Sequence, residues 1–442
     1  MLTRLFELEA RRTTVAREIR GGIATFLTMA YILFANPGIL AAAGVPYEAA
    51  VAATAAAAAL SCFAMGLLAN APIALAPGMG LNAVVAYHIA GVTGSWQAAM
   101  ALVVLEGLLV LAMVLIGLRE AVMEAIPIDL RRAIAVGIGL FIAFIGVVNA
   151  RLVIVPPGTI STLAGTPDAV LPPVTFGSVQ QTDTMLALVG LLVIAVLFVR
   201  RRTGAIVIGM ATVTVLGLGA GVTSLPAGSW AGWPRFDTVL QADFGAIWTL
   251  PAVPLVLSLV MVDFFDTIGT ATAIGEAAGL KDDRGRLPHL RRVLAIDAAA
   301  ASIGGLAGVS SVTSYIESAA GVAEGARTGL HTVVVGMLFA LAMFVAPLAA
   351  IVPPAATAPA LIAVGFMMAG QVTRIDFQAL DTALPAFLIL LLIPLTWSIA
   401  HGIGYGFLGF VAIRVLSGRA RHVHPVMYVV AAAFAGYFVM GS

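Results

Sequence analysis

Apolar runs of about 20 residues recur along the whole chain, and each is long enough to cross the ~30 Å hydrocarbon layer of a membrane as an α-helix. The 442 residues are 61% hydrophobic and 10% charged. A soluble globular chain carries about 25% charged residues, so that class is excluded. Transmembrane β-barrels are excluded too, because their strands show alternating patterns of ~10 residues. The sequence therefore predicts an all-α polytopic membrane protein.

Fourteen apolar segments are predicted to span the membrane. The first seven cover approximately residues 21–40, 48–70, 73–91, 97–117, 132–150, 184–200 and 204–224. The second seven cover approximately residues 249–272, 290–306, 308–324, 328–351, 355–371, 380–398 and 400–416. A final run, 425–440, is short for a span, so we predict an interfacial or re-entrant segment there.

The basic residues support this count. If the N-terminus is cytoplasmic, the connections between spans place 21 of the 23 Lys and Arg residues on the cytoplasmic side, all except Arg151 and Arg235. The positive-inside rule predicts this asymmetry. The assignment puts Arg119 in a cytoplasmic connection, so we expect no membrane-embedded Lys or Arg to face the acidic residues inside the spans.

Fourteen spans divide into two sets of seven, and the second set starts from the opposite side because seven is odd. Such inverted repeats occur in many secondary transporters. Two short matches agree with this division: AGV at 90–92 recurs at 320–322, and IAVG at 134–137 recurs at 362–365. We therefore predict two inverted repeats of seven segments.

The third and tenth spans are interrupted at matching positions of the two repeats. Their helix-disfavouring residues are Pro72, Pro77, Gly78 and Gly80 in the third and Gly304, Gly305 and Gly308 in the tenth. Pro and Gly free backbone groups that a bilayer tolerates only where protein or a cavity satisfies them. Paired breaks of this kind point to a transporter's substrate site. Close helix packing through small residues is the alternative.

Polar side chains beside these breaks favour the substrate site over simple packing. They are Asn82 in the third span and Ser310, Ser311, Thr313, Ser314 and Glu317 in the tenth. An acidic residue at the bilayer centre costs at least ~2.5–3.5 kcal/mol on insertion scales, so a carboxylate such as Glu317 indicates function.

Four further acidic residues fall inside the predicted spans: Glu106, Asp263, Asp266 and Asp297. Asp263 and Asp266 are three residues apart and share one helix face. Two nearby carboxylates resist being ionised together, so this pair can take up and release a proton. A cap or hydrogen bond on a neighbouring broken helix is the alternative. Glu106 and Asp297 stand alone, and we expect each to form an interhelical pair.

Five motifs carry a family resemblance. They are TFLTMAYILFANP (25–37), APGMGLNA (76–83), DFFDTIGT (263–270), SSVTSYIESAAG (310–321) and PLTWSIAHGIGYGF (394–407). In this order, over nearly the whole chain, they resemble the nucleobase–cation symporter family in its nucleobase–ascorbate, or xanthine–uracil permease, branch. Within that branch they are similar to the AzgA-like group of hypoxanthine–adenine–guanine permeases.

The resemblance implies a division into two domains, with short extended stretches in segments 3 and 10. After a cytoplasmic segment (1–20), the core domain comprises 21–117 and 248–351, the gate domain comprises 118–247 and 352–424, and an apolar segment (425–442) ends the chain. It also implies purine import by proton symport with alternating access, in the inner (plasma) membrane of a bacterium, with a homodimer formed through the gate. No cofactor or metal is implied.

The resemblance also implies site residues. Asn82, Asp263 and Glu317 are expected to bind the substrate, with Thr25 and Phe26 as weaker candidates. Asp266 or Asp263 is expected to couple transport to the proton. A carboxylate accepts two adjacent N–H donors of a purine in one charge-assisted pair, which we assign to Glu317. Hydroxyl groups such as that of Ser314 are predicted to orient the substrate. Backbone groups at the broken helices complete the predicted site, at Gly78, Gly80, Ser311 and Thr313.

Two other functions compete with this interpretation. An anion exchanger of the same inverted-repeat architecture is the first, although its site would favour a basic residue over three acids. A membrane enzyme is the second. Its support is weak, because the six histidines show no metal-ligand spacing apart from His422 and His424. No phosphate-binding loop or nucleophile elbow occurs either.

Overall fold

The computed structural model describes residues 2–156, 158–159, 174–225, 232–248, 252–280, 289–349 and 351–440. These residues are mostly helical, as predicted. Parts of two connections between predicted spans, 151–183 and 225–247, lie outside the described residues, as does the connection that contains Lys281.

The helices fall into two halves. Those of the first half are α1 (Leu2–Leu5), α2 (Val15–Met29), α3 (Ile32–Leu40), α4 (Tyr47–Ala64), α5 (Met79–Val84), α6 (Ala90–Thr93), α7 (Trp96–Leu115), α8 (Leu118–Ala125), α9 (Ile128–Asn149), α10 (Thr182–Val199) and α11 (Ala205–Gly219). Those of the second half are α12 (Ala252–Ala277), α13 (Leu290–Ala307), α14 (Ser318–Ala323), α15 (Gly329–Ala342), α16 (Ala346–Ala349), α17 (Pro354–Ala369), α18 (Leu380–Leu395), α19 (Ile399–Leu416) and α20 (Pro425–Met440).

Short strands and turns complete the described elements. The strands are β1 (Leu75–Pro77), β2 (Val153–Ile154), β3 (Thr175–Phe176) and β4 (Val312–Ser314). Turns of π-helix continue α4 through Met65–Ala69 and α5 through Val85–Ile89. The 3-10 turns are Ala41–Ala43, Phe244–Trp248, Met343–Val345, Gly370–Arg374 and Ala420–His422.

Each of the fourteen predicted spans coincides with a helix, or with a helix and the strand or turn beside it. Within the described ranges, seven continuous helical stretches, some of them running through a short turn, are long and apolar enough to cross a membrane. The third and tenth spans fall short of that length because a strand replaces the first part of each helix. The last helix, α20, packs on α19 and α8, and its interfacial or re-entrant position stays a prediction.

The two strands that interrupt the third and tenth spans pair with each other. β1 runs antiparallel to β4, with Ala76 opposite Thr313. The Gly78 N–H donates to the Ser311 carbonyl oxygen at 2.8 Å, so the pairing extends past the end of the strand. This ladder satisfies backbone groups that the helix breaks would otherwise leave unpaired in an apolar interior. The predicted extended stretches in segments 3 and 10 are therefore confirmed.

Helix packing follows two separate sets of partners. α7 packs on α13, and α15 packs on α2 and α4. In the other set, α9 packs on α17 and α18, and α10 packs on α11 and α17. The division of the chain into core and gate domains that move against each other stays a prediction.

Gly139 marks a close crossing of α9 and α17. A Cβ atom at Gly139 would lie 2.8 Å from the carbonyl oxygen of Gly365. We expect Gly139→Ala to push the helices apart and lower the free energy of unfolding by about 1–3 kcal/mol, the usual effect of overpacking. Thermal unfolding in detergent measures this. Gly38→Ala is the matched control, because a Cβ at Gly38 meets no atom within 4 Å, and equal destabilisation of both variants would contradict the crossing.

Candidate functional site

A pocket lies where the two interrupted spans meet. The start of α5 and the residues that end β4 and precede α14 contribute to its lining, together with Asp266 and Thr270 of α12. Apolar side chains of α9 and α17, among them Ile138 and Met368, also line it. The pocket encloses about 370 Å³, counting its open mouth. The part of that space that a water-sized sphere can enter is about 40 Å³.

Glu317 projects into this pocket from the residue before α14. Its side chain is 6% exposed. The hydroxyl of Tyr31 donates a hydrogen bond of 2.9 Å to Glu317 Oε1. A buried carboxylate needs hydrogen-bond donors to remain ionised, and Tyr31 supplies one of them. The predicted binding carboxylate is thus held at the pocket by a phenol from the first span.

Asp266 is the second carboxylate in the pocket lining. It is half-buried on α12, and Thr270, one turn later, also lines the pocket. The two acids come from different elements, α12 and the segment before α14, and they meet because α12 packs on β4 and α14. A small molecule in this pocket therefore meets two carboxyl groups and an apolar wall.

Asp263 lies outside the pocket lining and is fully buried. Its partner is Arg119, whose Nη2 atom lies 3.6 Å from Asp263 Oδ2 and 3.5 Å from Asp297 Oδ2. The expectation that no basic residue faces the buried acids is therefore wrong. Arg119 was assigned to a cytoplasmic connection, but the structure buries its side chain completely.

The local fold explains why Arg119 points inward. The chain turns at Gly117, where φ is +75°, and α8 begins at Leu118. The Arg119 guanidinium reaches back to the carbonyl oxygens of Asp263 and Leu294 at 3.4 and 3.5 Å. It also lies 5.5 Å from the centre of the Phe264 ring. The long side chain of Arg119, at the end of a predicted span, thus places its charge between α12 and α13. The sequence pattern alone does not predict these helices as its neighbours.

Glu106 and Asp297 complete this group of charges, named here the buried cluster: Arg119, Asp263, Asp297 and Glu106. Asp297 Oδ2 accepts from the Thr267 hydroxyl at 2.5 Å, and Oδ1 accepts from Ser314 Oγ at 2.8 Å. The Glu106 oxygens have no hydrogen-bond partner among the described residues. Asp297 therefore forms the expected interhelical hydrogen bonds, whereas Glu106 faces Asp263 of α12 without such a bond.

Hydroxyl groups connect the buried cluster with the pocket. Ser314, which donates to Asp297, itself lines the pocket. The Thr267 hydroxyl bridges Asp297 and Thr313, whose Oγ1 atom lies 2.9 Å from it. Ser314 therefore touches both regions, and Thr313 belongs to the hydroxyl network behind the pocket.

The remaining predicted site residues also divide into those that line the pocket and those that do not. Gly78 and Gly80 line the pocket at the start of α5. Ser311 does not line the pocket, and its carbonyl oxygen is used by the Gly78 N–H. Asn82 is fully buried, and its two polar side-chain atoms have no hydrogen-bond partner among the described residues. Its predicted role in substrate binding stays a prediction, since it is not part of the lining.

Thr25 and Phe26 lie away from the pocket, against α15. Thr25 Oγ1 lies 2.8 Å from His331 Nε2 and accepts the Gly321 N–H at 3.1 Å. The Phe26 ring packs edge-on against Phe339, with 5.1 Å between the ring centres. These contacts hold α2 against α15 and α14. The predicted contribution of the two side chains to substrate binding therefore gains no support from their position.

Polar residues near the site that were not predicted from sequence include Tyr31, Thr270 and Arg119. Tyr31 and Thr270 lie within motifs that were recognised, so their polar groups in apolar surroundings were a usable signal. For Arg119 the signal was an imbalance of charge. Several acids buried in an apolar interior call for a cation or for protons, and an arginine beside a span was available.

A family model for xanthine–uracil permeases, described as "Permease family", matches residues 16–404. The chain belongs to this permease family. It is a multi-pass membrane transporter rather than an enzyme. This assignment agrees with the resemblance of the five motifs.

Curated relatives cover nearly the whole chain. Guanine/hypoxanthine permease PbuG of Bacillus subtilis is 38% identical over 98% of this chain and 98% of its own length. Adenine permease AdeQ of Escherichia coli is 37% identical over 98% of this chain and 95% of its own length. Nucleobase transporter PlAzg2 of Paenibacillus larvae is 31% identical over 89% of this chain and 76% of its own length. The predicted similarity to the AzgA-like group is confirmed.

Solved structures share the fold at low sequence identity. The transmembrane domain of the cyanobacterial bicarbonate transporter BicA matches with a TM-score of 0.61 and 17% identity, over 88% of this chain and 97% of that one. The murine anion transporter Solute Carrier 26 family member A9 matches with a TM-score of 0.62 and 13% identity, over 90% of this chain and 68% of that one. The shared architecture, fourteen helices in inverted repeats, confirms the predicted fold class.

Removing the Arg119 charge tests the buried cluster. Arg119→Gln leaves Asp263 and Asp297 without their cation, and breaking a buried ion pair typically costs about 3–5 kcal/mol. We expect a clear fall in the melting temperature in detergent, with partial recovery when Asp297→Asn is added, because the negative charge that Arg119 balanced is then removed. Arg235→Gln is the matched control, since its ion pair with Asp237 is exposed. Equal melting temperatures for R119Q and R235Q would contradict a structural role for the buried charge.

Proposed function

We propose that the chain imports purine nucleobases, such as guanine, hypoxanthine or adenine, by proton symport across the inner (plasma) membrane, with its N-terminus in the cytoplasm. The observation that carries this proposal is the pocket at the paired breaks, where Glu317 and Asp266 face an apolar wall. The names of the relatives, guanine/hypoxanthine and adenine permeases, support the substrate class.

Glu317 is the proposed purine ligand. A neutral purine presents adjacent N–H donors at its edge, and a carboxylate accepts two of them in a charge-assisted pair. The hydrogen bond from Tyr31 fixes the orientation of this carboxylate before substrate arrives. The flat faces of the base then pack against apolar side chains such as Ile138 and Met368. A purine without its N–H donors binds poorly, because the buried carboxylate is left unpaired.

The two aspartates of α12 are the proposed proton carriers. Asp266 borders the pocket and Asp263 lies one helical turn away in the buried cluster. In this proposal the loaded protein changes conformation only when this pair carries a proton, so the proton and the purine cross together. The proton enters from the outside with the substrate and leaves on the inside.

Alternating access is the proposed mechanism of transport. The pocket is lined on one side by α12 and the paired breaks, which belong to the predicted core, and on the other by α9 and α17 of the predicted gate. A movement of core against gate exposes the pocket to one side of the membrane at a time. A homodimer formed through the gate belongs to the same proposal.

Anion exchange is the competing function for this fold. The pocket chemistry favours purine transport, because the described residues that line the pocket include two carboxylates and no Arg, Lys or His. An anionic substrate would meet like charge in this lining. Arg119 does not change this conclusion, since it lies in the buried cluster with its charge directed at Asp263 and Asp297.

Glu317→Gln tests the binding carboxylate. An amide lacks the second acceptor oxygen and the charge, and hydrogen bonds to charged groups are worth about 1.5–3 kcal/mol, so we expect the apparent affinity for guanine or hypoxanthine to fall about 10–100-fold. The measurement is uptake of labelled purine by proteoliposomes in competition with unlabelled bases. Glu48→Gln, at an exposed position at the start of α4, is the control. Full-affinity uptake by E317Q would remove this assignment.

Asp266→Asn and Asp263→Asn test proton coupling. An asparagine cannot exchange a proton, so we expect each variant to lose accumulation of purine driven by a pH gradient. Exchange of labelled for unlabelled purine is expected to persist, since it requires no net proton movement. Asp376→Asn, at an exposed position, is the control. Uphill uptake that persists in both α12 variants would contradict the proposed proton carriers.

A further inference from the structure

The buried cluster contains more acid than base. Glu106, Asp263 and Asp297 face one cation, Arg119, and all four side chains are fully buried. If every group were ionised, the cluster would carry two uncompensated negative charges. An unpaired buried charge is strongly disfavoured, and a buried carboxyl group without a partner takes up a proton instead. The cluster therefore binds protons, and the contacts show which members hold them.

Asp297 has the contacts of an ionised carboxylate. It accepts hydrogen bonds from Thr267 and Ser314, and Arg119 Nη2 lies 3.5 Å from its Oδ2 atom. Donors and a nearby cation favour the charged form. Arg119 stays protonated in proteins, so it balances this one negative charge.

Glu106 and Asp263 have the contacts of protonated groups. None of their four carboxyl oxygens has a hydrogen-bond partner among the described residues. Ser311, Asp263, Asp297 and Arg119 are the polar or charged side chains that act on Glu106. Asp263 faces Glu106, Asp297, Arg119 and Asp266. Two facing carboxyl groups that accept no hydrogen bond take up protons. Two protons remove the two uncompensated charges, and one of them is the proton exchanged during transport.

We propose that Glu106 and Asp263 together hold the coupling proton, and that Arg119 is the positioning residue that keeps Asp297 ionised beside them. This inference rests on the proposed proton symport and adds a residue of α7 to the site. Arg119 Nη2 approaches both Asp263 and Asp297, so the pair lies next to the carboxylate that Ser314 connects to the pocket.

The connection gives the proton a route. Ser314 lines the pocket and donates to Asp297, so its hydroxyl can accept one proton from the pocket side while it passes its own to Asp297. From Asp297 the proton moves to Asp263, which lies against the same Arg119 Nη2 atom, while the guanidinium keeps its own protons. The Glu106–Asp263 pair then retains it. Only O–H bonds form and break along this route. Asp266, at the pocket, and Glu317 beside it are the other acids that face the route.

Glu106→Gln tests the proposal in proteoliposomes with an entrapped pH indicator. A gradient of one pH unit drives about tenfold accumulation of a neutral substrate carried with one proton, since 1.4 kcal/mol is a factor of ten. We expect E106Q to lose this accumulation and the proton influx that accompanies purine entry. We expect counterflow of labelled hypoxanthine at equal pH to stay near the wild-type rate, because Glu106 does not line the pocket. Glu48→Gln is the matched control.

The outcomes separate the two proposals. Wild-type protein that moves purine without proton influx overturns the proposed symport. If the wild type moves purine with protons and E106Q still accumulates purine with proton influx, the role of Glu106 is overturned. The proposed symport then stands. If E106Q shows no counterflow, Glu106→Asp decides: it keeps a carboxyl group but moves it, so the pH dependence of accumulation shifts while counterflow remains. An unchanged pH profile in E106D would also overturn the inference.

Discussion

The pairing of β1 with β4 is the constraint on which the site depends. Two helices that stop inside an apolar layer expose backbone groups, and hydrocarbon offers these groups no partner. Each break supplies the partner of the other, with Leu75 opposite Ser314 and Pro77 opposite Val312. Because both breaks end at the same place, the start of α5 and the segment carrying Glu317 line one pocket. Without this ladder, neither interrupted span would keep its residues in the pocket lining.

The acids near this pocket are separated into two environments. Asp266 and Glu317 face open space in the lining, where a ligand can reach them. Asp263, Asp297 and Glu106 are packed behind it around Arg119. The same helix, α12, contributes one acid to each environment, because residues three apart lie on one face but at different depths along it. Ser314 contacts both environments, so a change of charge in one alters the electrostatic potential in the other.

The fold is shared with transporters of different cargo. The bicarbonate transporter BicA and the anion transporter of Solute Carrier 26 family member A9 have the same architecture at 17% and 13% identity. A fold of this kind positions a pocket between two broken helices, and the side chains at the breaks determine what enters it. In this chain those side chains are carboxylates and hydroxyls, which suit a neutral ligand rich in N–H donors.

The sequence by itself determined the class of protein, the fourteen segments and the two interrupted spans, because membrane crossing is a matter of local length and apolarity, and Pro and Gly mark helix breaks locally. Recognised motifs also located Glu317, Asp266 and Ser314 near one another. Only the tertiary structure decided that Asp263 lies behind the pocket, that Thr25 pairs with His331, and that Arg119 enters the protein interior. These contacts join residues far apart in the chain. Hydrophobic periodicity reports which face of a helix is buried, and it does not show where a single long side chain beyond a turn is directed.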